Sequence, residues 1–321
     1  MTSRERVERT INFEKPDRVP FNFWMDRRRM AELDAKYGHD FRLTHYGTDV
    51  IESYAVFPKF PSAEYREEAG TNWMVKELFD DWSEAPDIPM PDPLDPDIYV
   101  QLDAHVRDYP DKAIIVNSPG VLTIIEMMRT QESLYVDICM YPEEVKAFFD
   151  RISDVMARAA EEALRRDVTA LYVQDDIAFK NGLLLSEEQL REFVVPHWQK
   201  VIDVARERDL PVFFHSDGNV TDAWDLFCHD LGICMLNPLQ PELQDIGEFK
   251  RRYHGKMGCY GGLQTSAIHM LSPDELRGHV FDIFGKLGDD GGLILSSHDI
   301  DYAVTEEQLD AMIGAIKECV Y

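Results

Sequence analysis

Positive charge is scarce in this sequence. Its 321 residues carry 33 Lys and Arg against 60 Asp and Glu, a formal net charge of −27. A surface so acidic repels nucleic acid and anionic membranes, although a local basic pocket stays possible. Cysteine is also scarce. The five (Cys139, Cys228, Cys234, Cys259, Cys319) are odd in number and form no Cys-x-x-Cys, so free thiols or metal ligands fit better than disulfides. No apolar run reaches the roughly 18 residues of a membrane-spanning helix. The N-terminus, Met1-Thr2-Ser3-Arg4-Glu5-Arg6-Val7, lacks an apolar signal core, which favours the cytoplasm. Neither a Gly-x-Gly-x-x-Gly after a strand nor a Walker loop occurs, which lowers the expectation of nucleotide binding.

What is present is alternation. Apolar strand-like runs lie at Ala113–Val116, Ala170–Val173, Pro211–Phe214, Cys234–Leu236, Met257–Tyr260 and Leu293–Leu295. Helical stretches separate most of them. Ser186, Ser272 and Thr305 each stand three residues before Gln or Glu, the signature of a capping box. With Arg18–Trp24 as a first strand and another within Val50–Val56, about eight βα units result. The expected fold is therefore a (β/α)8 TIM-type barrel, with an open doubly wound sheet as the alternative. One domain spans 1–321, with an N-terminal helix over 3–13 and an irregular, proline-dense insertion around 57–100.

A barrel builds its site at the C-terminal ends of its strands. Those ends carry Asn117 to Gly120, then Gln174 to Asp176, and then His215, Ser216, Asp217 and Asn219. Next come Asn237, Gln240 and Glu242, then Cys259, Tyr260 and Gln264, and last Ser296 to Asp299. His215, Asp217 and His298 make a plausible three-ligand metal site that leaves a position open, with Asp176 and Cys259 as further candidates. The bland alternatives are a hydrogen-bonded structural histidine, a turn at Asp217-Gly218 and a buried apolar thiol. Trp24, Phe214, Asn237, Tyr260 and Gln264 are the candidate substrate-binding residues, Trp24 foremost among the aromatics. His197 shares a helical spacing with apolar residues and reads as structural.

The order of segments resembles the uroporphyrinogen decarboxylase superfamily. The resemblance rests on Arg4-Glu5-Arg6-Val7, Lys15-Pro16-Asp17-Arg18-Val19-Pro20, Gly182-Leu183-Leu184-Leu185-Ser186 and Phe193-Val194-Val195-Pro196. It continues through Phe214-His215-Ser216-Asp217-Gly218-Asn219, Leu236-Asn237-Pro238-Leu239-Gln240-Pro241 and Gly261-Gly262. The decarboxylase proper has an Arg-Gln-Ala-Gly-Arg-Tyr segment and an Asp in Phe-Ser-Asp-Ile-Leu. Here Met25-Asp26-Arg27-Arg28-Arg29-Met30 and Glu52-Ser53-Tyr54-Ala55-Val56 stand instead.

The superfamily's other branch contains corrinoid-dependent methyltransferases, some of which activate a thiol on zinc through His-x-Cys and a distant Cys. The corresponding positions here look like His215-Ser216-Asp217 and His298, a harder set that suits an oxygen substrate. The resemblance thus implies O-demethylation of a small methoxylated compound, aromatic ones included. Zinc or another divalent metal would sit on His215, Asp217 and His298. Asp176 or Glu126 would serve as the acid. Cobalamin would come with a partner corrinoid protein, since this chain has no Asp-x-His-x-x-Gly. A homodimer fits a barrel of this size. The alternatives are a decarboxylase of a smaller acid and a non-catalytic binding barrel.

Overall fold

Seven strands form one parallel sheet in chain order: β1 Val50–Tyr54, β2 Ala113–Pro119, β3 Ala170–Gln174, β4 Val212–His215, β5 Met235–Asn237, β6 Gly258–Gly262 and β7 Leu293–Ser296. Each pairs with the next in parallel register. The computed structural model describes residues 1–54, 59–68, 71–75, 77–126, 128–297 and 299–321. The eighth stave is the extended segment after the N-terminal helix. Asn22 N donates to Leu295 O (3.0 Å), Leu295 N to Pro20 O (2.9 Å) and Asp49 N to Phe21 O (2.9 Å). The segment thus touches both β7 and the residue preceding β1, and the chain has the TIM-type α/β fold.

The sequence suggests a regular strand at Arg18–Trp24, but only isolated bridges form, Phe21 with Leu295 and Met25 with Ile300. The reason is local. Pro20 has no N–H to give, and Phe21 N donates to the Asp49 side chain (3.0 Å) rather than to a neighbouring backbone carbonyl.

Strand residues alternate between two apolar environments. Val50, Ala113, Ile115, Ala170, Tyr172, Phe213, Met235, Tyr260 and Ile294 fill the lumen, with Val7 and Ile11 of helix Ser3–Ile11 packed beneath them. Their neighbours, such as Ile114, Val116, Leu171, Phe214 and Cys259, face the surrounding helices. The 57–100 region carries a hairpin (Tyr65–Glu68 with Thr71–Met74) and two 3-10 turns (Trp82–Asp87, Pro96–Tyr99). The capping boxes at Ser186, Ser272 and Thr305 all form. No described helix is long and apolar enough to cross a membrane.

Asp49 fastens the seam. It is fully buried (0% exposed) and accepts from Arg6 Nη1 (2.6 Å), Arg18 Nη1 (2.7 Å) and Phe21 N. Arg6 in turn grips Asp17 (2.7 Å), whose carboxyl it pulls down to a pKa of about 2. Replacing Asp49 with Ala takes a carboxylate from two guanidinium groups, of which the buried Arg6 keeps Asp17. We expect a loss of about 3–5 kcal/mol, the range for breaking a buried charge pair. Urea unfolding of Asp49→Ala checks this, and a change under about 1 kcal/mol would mean the clasp is dispensable.

Candidate functional site

The polar layer at the barrel mouth lies directly above the apolar lumen. On one side, Asn22 Nδ2 donates to Tyr260 OH (2.7 Å) and Glu52 Oε1 (3.2 Å), and Tyr260 OH donates to Glu52. Burial and the Glu52 carboxylate keep the Tyr260 phenol firmly protonated, its pKa far above the usual value. On the other side, Tyr172 OH donates to Asn237 Oδ1 (2.5 Å), and His215 Nδ1 lies 2.6 Å from the same oxygen.

These contacts fix the His215 tautomer. Asn237 Nδ2 donates to Tyr260 O (2.6 Å), so the carboxamide cannot be flipped without setting its oxygen against that carbonyl. Its Oδ1 therefore accepts, and His215 Nδ1 must carry a hydrogen. In neutral imidazole Nε2 is then the lone-pair nitrogen. It points to Asp176, whose Oδ1 is 3.6 Å away. Asp176 Oδ1 also accepts from Asp217 N (2.8 Å). His215 is 7% exposed, whereas the Asp176 side chain is 50% exposed. A buried imidazole thus meets carboxylates that open to solvent.

Chain geometry holds this corner in place. Gly218 has φ +90°, and a Cβ there would lie 2.5 Å from Ala178 O. Its N donates to Gln240 Oε1 (2.9 Å), and its carbonyl accepts from Gln244 Nε2 (3.1 Å). Ser216 Oγ accepts from Ile177 N (3.0 Å). Glu242 faces the same corner, and desolvation followed by the Asp217 charge raises its carboxyl pKa.

Asp175 points away from the mouth. Its carboxylate accepts from Thr123 N (2.7 Å), Leu122 N (3.3 Å) and Trp198 Nε1 (2.7 Å). It ties the end of β3 to helix Val121–Glu126, and only glycine fits at 120, where a Cβ would lie 2.0 Å from Asp175 Cγ.

Asp176, His215 and Asp217 place one ligand atom each within 4.8 Å of one another. That trio contains two of the expected metal ligands, and Asp176 stands beside them. His298 lies outside the described residues. Cys259 does not join them. It sits on the helix-facing side of β6, buried to 2%, and desolvation pushes its thiol up to about 12. Phe214 also faces the helices, packed against Trp198 and Phe227 at ring separations of 4.8 and 4.5 Å, so it lines core and not pocket.

Asn237 and Tyr260 do reach the mouth, as parts of the polar layer. Trp24 is half-buried beneath the Arg42 guanidinium, 3.9 Å above its ring. Gln264 opens helix Thr265–Ile268 and bonds Ser266 Oγ (3.0 Å). Glu126 ends helix Val121–Glu126. His197 is structural, held by Ser153 Oγ (3.0 Å), with burial lowering its pKa to about 4.

A second trio, His254, Asp289 and Asp290, gathers at the opposite end of the sheet, before β7. Lys250 occupies it, 3.2 Å from Asp289 and in contact with Asp290. Sequence reasoning passed over Glu52 and Asn22, since neither stands in an obvious motif. Their only signal was a polar residue inside an otherwise apolar strand.

Comparison with known proteins agrees with the fold. The family model described as "Uroporphyrinogen decarboxylase (URO-D)" matches residues 64–319. A methyltransferase from Methanosarcina mazei is similar in fold, with TM-score 0.75 and 14% identity over 99% of both chains. A B12-independent methionine synthase from Shewanella sp. W3-18-1 gives TM-score 0.52 at 9% identity, over 94% of this chain and 93% of that one. A putative B12-independent methionine synthase from Listeria monocytogenes gives 0.51 at 12%, over 94% and 95%. These identities carry the fold alone. A search of curated proteins finds no match.

Burial raises the Asp175 carboxyl from its ordinary 3.8 to about 7, against the pull of Thr123 and Trp198. Folding therefore takes up a proton between those values, and the contribution is full below the lower one and lost as pH rises through the upper. Stability of the wild type should fall relative to Asp175→Asn as pH climbs from about 4 to about 7. Parallel urea titrations of both proteins decide it, and equal slopes would remove Asp175 as the titrating group.

Proposed function

The chain belongs to the uroporphyrinogen decarboxylase (URO-D) family, and on that premise we propose that it is a metal-dependent methyltransferase. It would move a methyl group from a small methoxylated compound to the cob(I)alamin of a partner corrinoid protein. The observation that carries this reading is the convergence of Asp176, His215 and Asp217 at the mouth. The donor set fits a divalent metal in three respects. Its members are nitrogen and oxygen ligands, the His215 Nε2 lone pair faces them, and Nδ1–H is held by Asn237 Oδ1, the outer support that a metal-bound histidine needs. His298 remains a ligand candidate from the sequence. The methyltransferase fold of the Methanosarcina mazei protein supports the reading at the level of architecture.

When bound, the metal supplies Lewis-acid polarisation of the ether oxygen. The chain's own residues do the rest. Asp176, His215 and Asp217 would hold the cation, and two oxygens with one nitrogen would make a hard site suited to an oxygen ligand. Tyr172 and Asn237 lock the imidazole. Trp24 gives aromatic surface at the mouth, and the fully buried Tyr260 holds Glu52 beneath it. The carbon–oxygen bond breaks as the methyl passes to the acceptor, and the oxygen keeps the electron pair and takes a proton. Glu242, whose carboxyl pKa is raised by desolvation and by the Asp217 charge, is the acid this corner offers. Asp176 is better placed as a ligand than as that acid.

The family description favours a second reading, decarboxylation of a smaller acid, with Arg42 above Trp24 as the cation that would meet a carboxylate. Release of carbon dioxide from such an acid would support it and count against methyl transfer.

His215→Ala and Asp217→Ala should each remove bound metal and abolish methyl transfer to reduced corrinoid protein while leaving the far-ultraviolet spectrum unchanged. Full metal occupancy in both variants would sink the proposed site. Asn237→Leu keeps all three ligands but frees the imidazole, and metal affinity should drop about 10–100-fold. Titration with zinc and a competing chelator measures it, and an unchanged affinity would mean Asn237 supports only the fold.

A further inference from the structure

The rim of the mouth between β6 and β7 is held by an imidazole. β6 ends in Gly261-Gly262, and Gly262 (φ +87°) lies so close on helix Pro273–Leu287 that a Cβ there would stand 3.0 Å from Ile283 Cγ2 and 3.1 Å from Leu287 Cδ1. His279 is one helical turn before Ile283 and shares its face. The chain leaves the glycines through Leu263 and Gln264 into the short helix Thr265–Ile268. Gln264 N donates to His279 Nε2 at 3.2 Å. Leu263 N donates to Ser296 O (3.2 Å) at the end of β7, and Gln308 Nε2 fixes the far end on His269 O (3.1 Å) and Leu271 O (2.8 Å). The segment Leu263–Leu271 is thus pinned by a ring nitrogen, a backbone carbonyl and a carboxamide. Of these only the ring nitrogen takes up a proton in the ordinary pH range.

A backbone N–H can only donate, so His279 Nε2 presents its lone pair and the ring is neutral, with its hydrogen on Nδ1. A proton added to Nε2 would set one donor against another. The charges acting on the ring are Asp282 and Lys286 of its own helix, which bind each other at 2.6 Å. β7 carries no titratable side chain, and Cys259 of β6 keeps its proton. Among the described residues no charge from helix Ile246–Tyr253, from helix Glu306–Glu318 or from His269 in the segment itself acts on the ring. Desolvation lowers the His279 pKa from its ordinary 6.5, with Asp282 opposing and Lys286 adding. The bond is therefore intact above that value and is lost as pH falls through the lower, folded-state one. We propose that His279 is a proton-operated latch on this rim. Neutral, it holds the turn at Gln264 against helix Pro273–Leu287. Protonated, it releases that turn and loosens the entrance beside the end of β7, while the bonds of Leu263 and Gln308 keep the segment attached. The latch is independent of the reaction performed at the mouth.

Hydrogen exchange of the full chain tests this. The Gln264 amide is followed from about pH 8 down through the His279 ring titration, with the intrinsic pH dependence of exchange divided out and the β6 amides as the reference for global opening. Protection in the wild type should be level near neutrality and fall about tenfold per pH unit once the imidazole takes its proton. The midpoint of the His279 ring titration, read by proton NMR on the same protein, should mark where that fall begins. His279→Gln, whose carboxamide oxygen accepts the same bond and does not titrate, should keep protection level throughout. His269→Gln, which removes the other imidazole of the segment, should leave the wild-type profile as it is. A wild-type amide that stays protected through the ring titration overturns the proposal, and that comparison needs no variant to fold. A fall that persists in His279→Gln, or one that His269→Gln abolishes, does the same.

Discussion

A closed ring of parallel strands needs its first stave joined to its last, and here the join depends on one buried carboxylate. Asp49 binds Arg6 of the N-terminal helix, Arg18 of the first extended segment and the backbone of Phe21, while its own N–H and C=O continue the sheet toward Phe21 and Ala113. The mouth inherits its geometry from this seam. Asn22 reaches Glu52 and Tyr260 only because the segment carrying it is pinned between β7 and β1. Charge deep in a fold is expensive, and it is tolerated where each charge has partners on several sides. Asp49 meets that condition, whereas Asp175 keeps three donors and is still pushed by burial toward its neutral form.

The barrel architecture was legible because helices and strands announce themselves separately. Capping boxes mark helix starts, apolar runs mark strands, and strict alternation allows few topologies. Which face of a strand looks inward was not legible. In a sheet buried on both sides, successive residues are all apolar, and period two has no contrast to act on. Phe213 and Phe214 are equally hydrophobic, yet one fills the lumen and the other meets Trp198. Cys259 and Tyr260 split the same way. Once one inward residue is known the rest follow, which is how Asn117 can be placed. The first stave was legible as an extended segment at Arg18–Trp24 but not as an interrupted one, since Pro20 and the Asp49 side chain take over bonds that a regular ladder would make.

The two asparagines of the mouth show how one residue type serves opposite ends. Asn237 uses its oxygen twice and its nitrogen once, and so transmits a fixed orientation from Tyr260 O to the His215 ring. Asn117 uses neither end among the described residues. The first is part of the scaffold that presents the metal-ligating corner. The second is buried at the end of β2 with no such role in the corner. No composition or spacing separates them, because the difference lies in what the neighbouring strands bring within reach.

The pairing of Phe21 with Leu295 has a consequence for how the protein is made. The ribosome releases the first stave long before the last one exists, since almost the whole chain lies between them. Until β7 emerges, the growing sheet has an open edge with unpaired backbone groups, a template for wrong pairings. Contacts so distant in sequence form late and slow the folding of the whole. Arg6, Arg18 and Asp49 lie close together in the chain and can meet early. Their clasp would hold the first stave against β1 while the remaining strands are still being synthesised, leaving a single edge to be closed at the end.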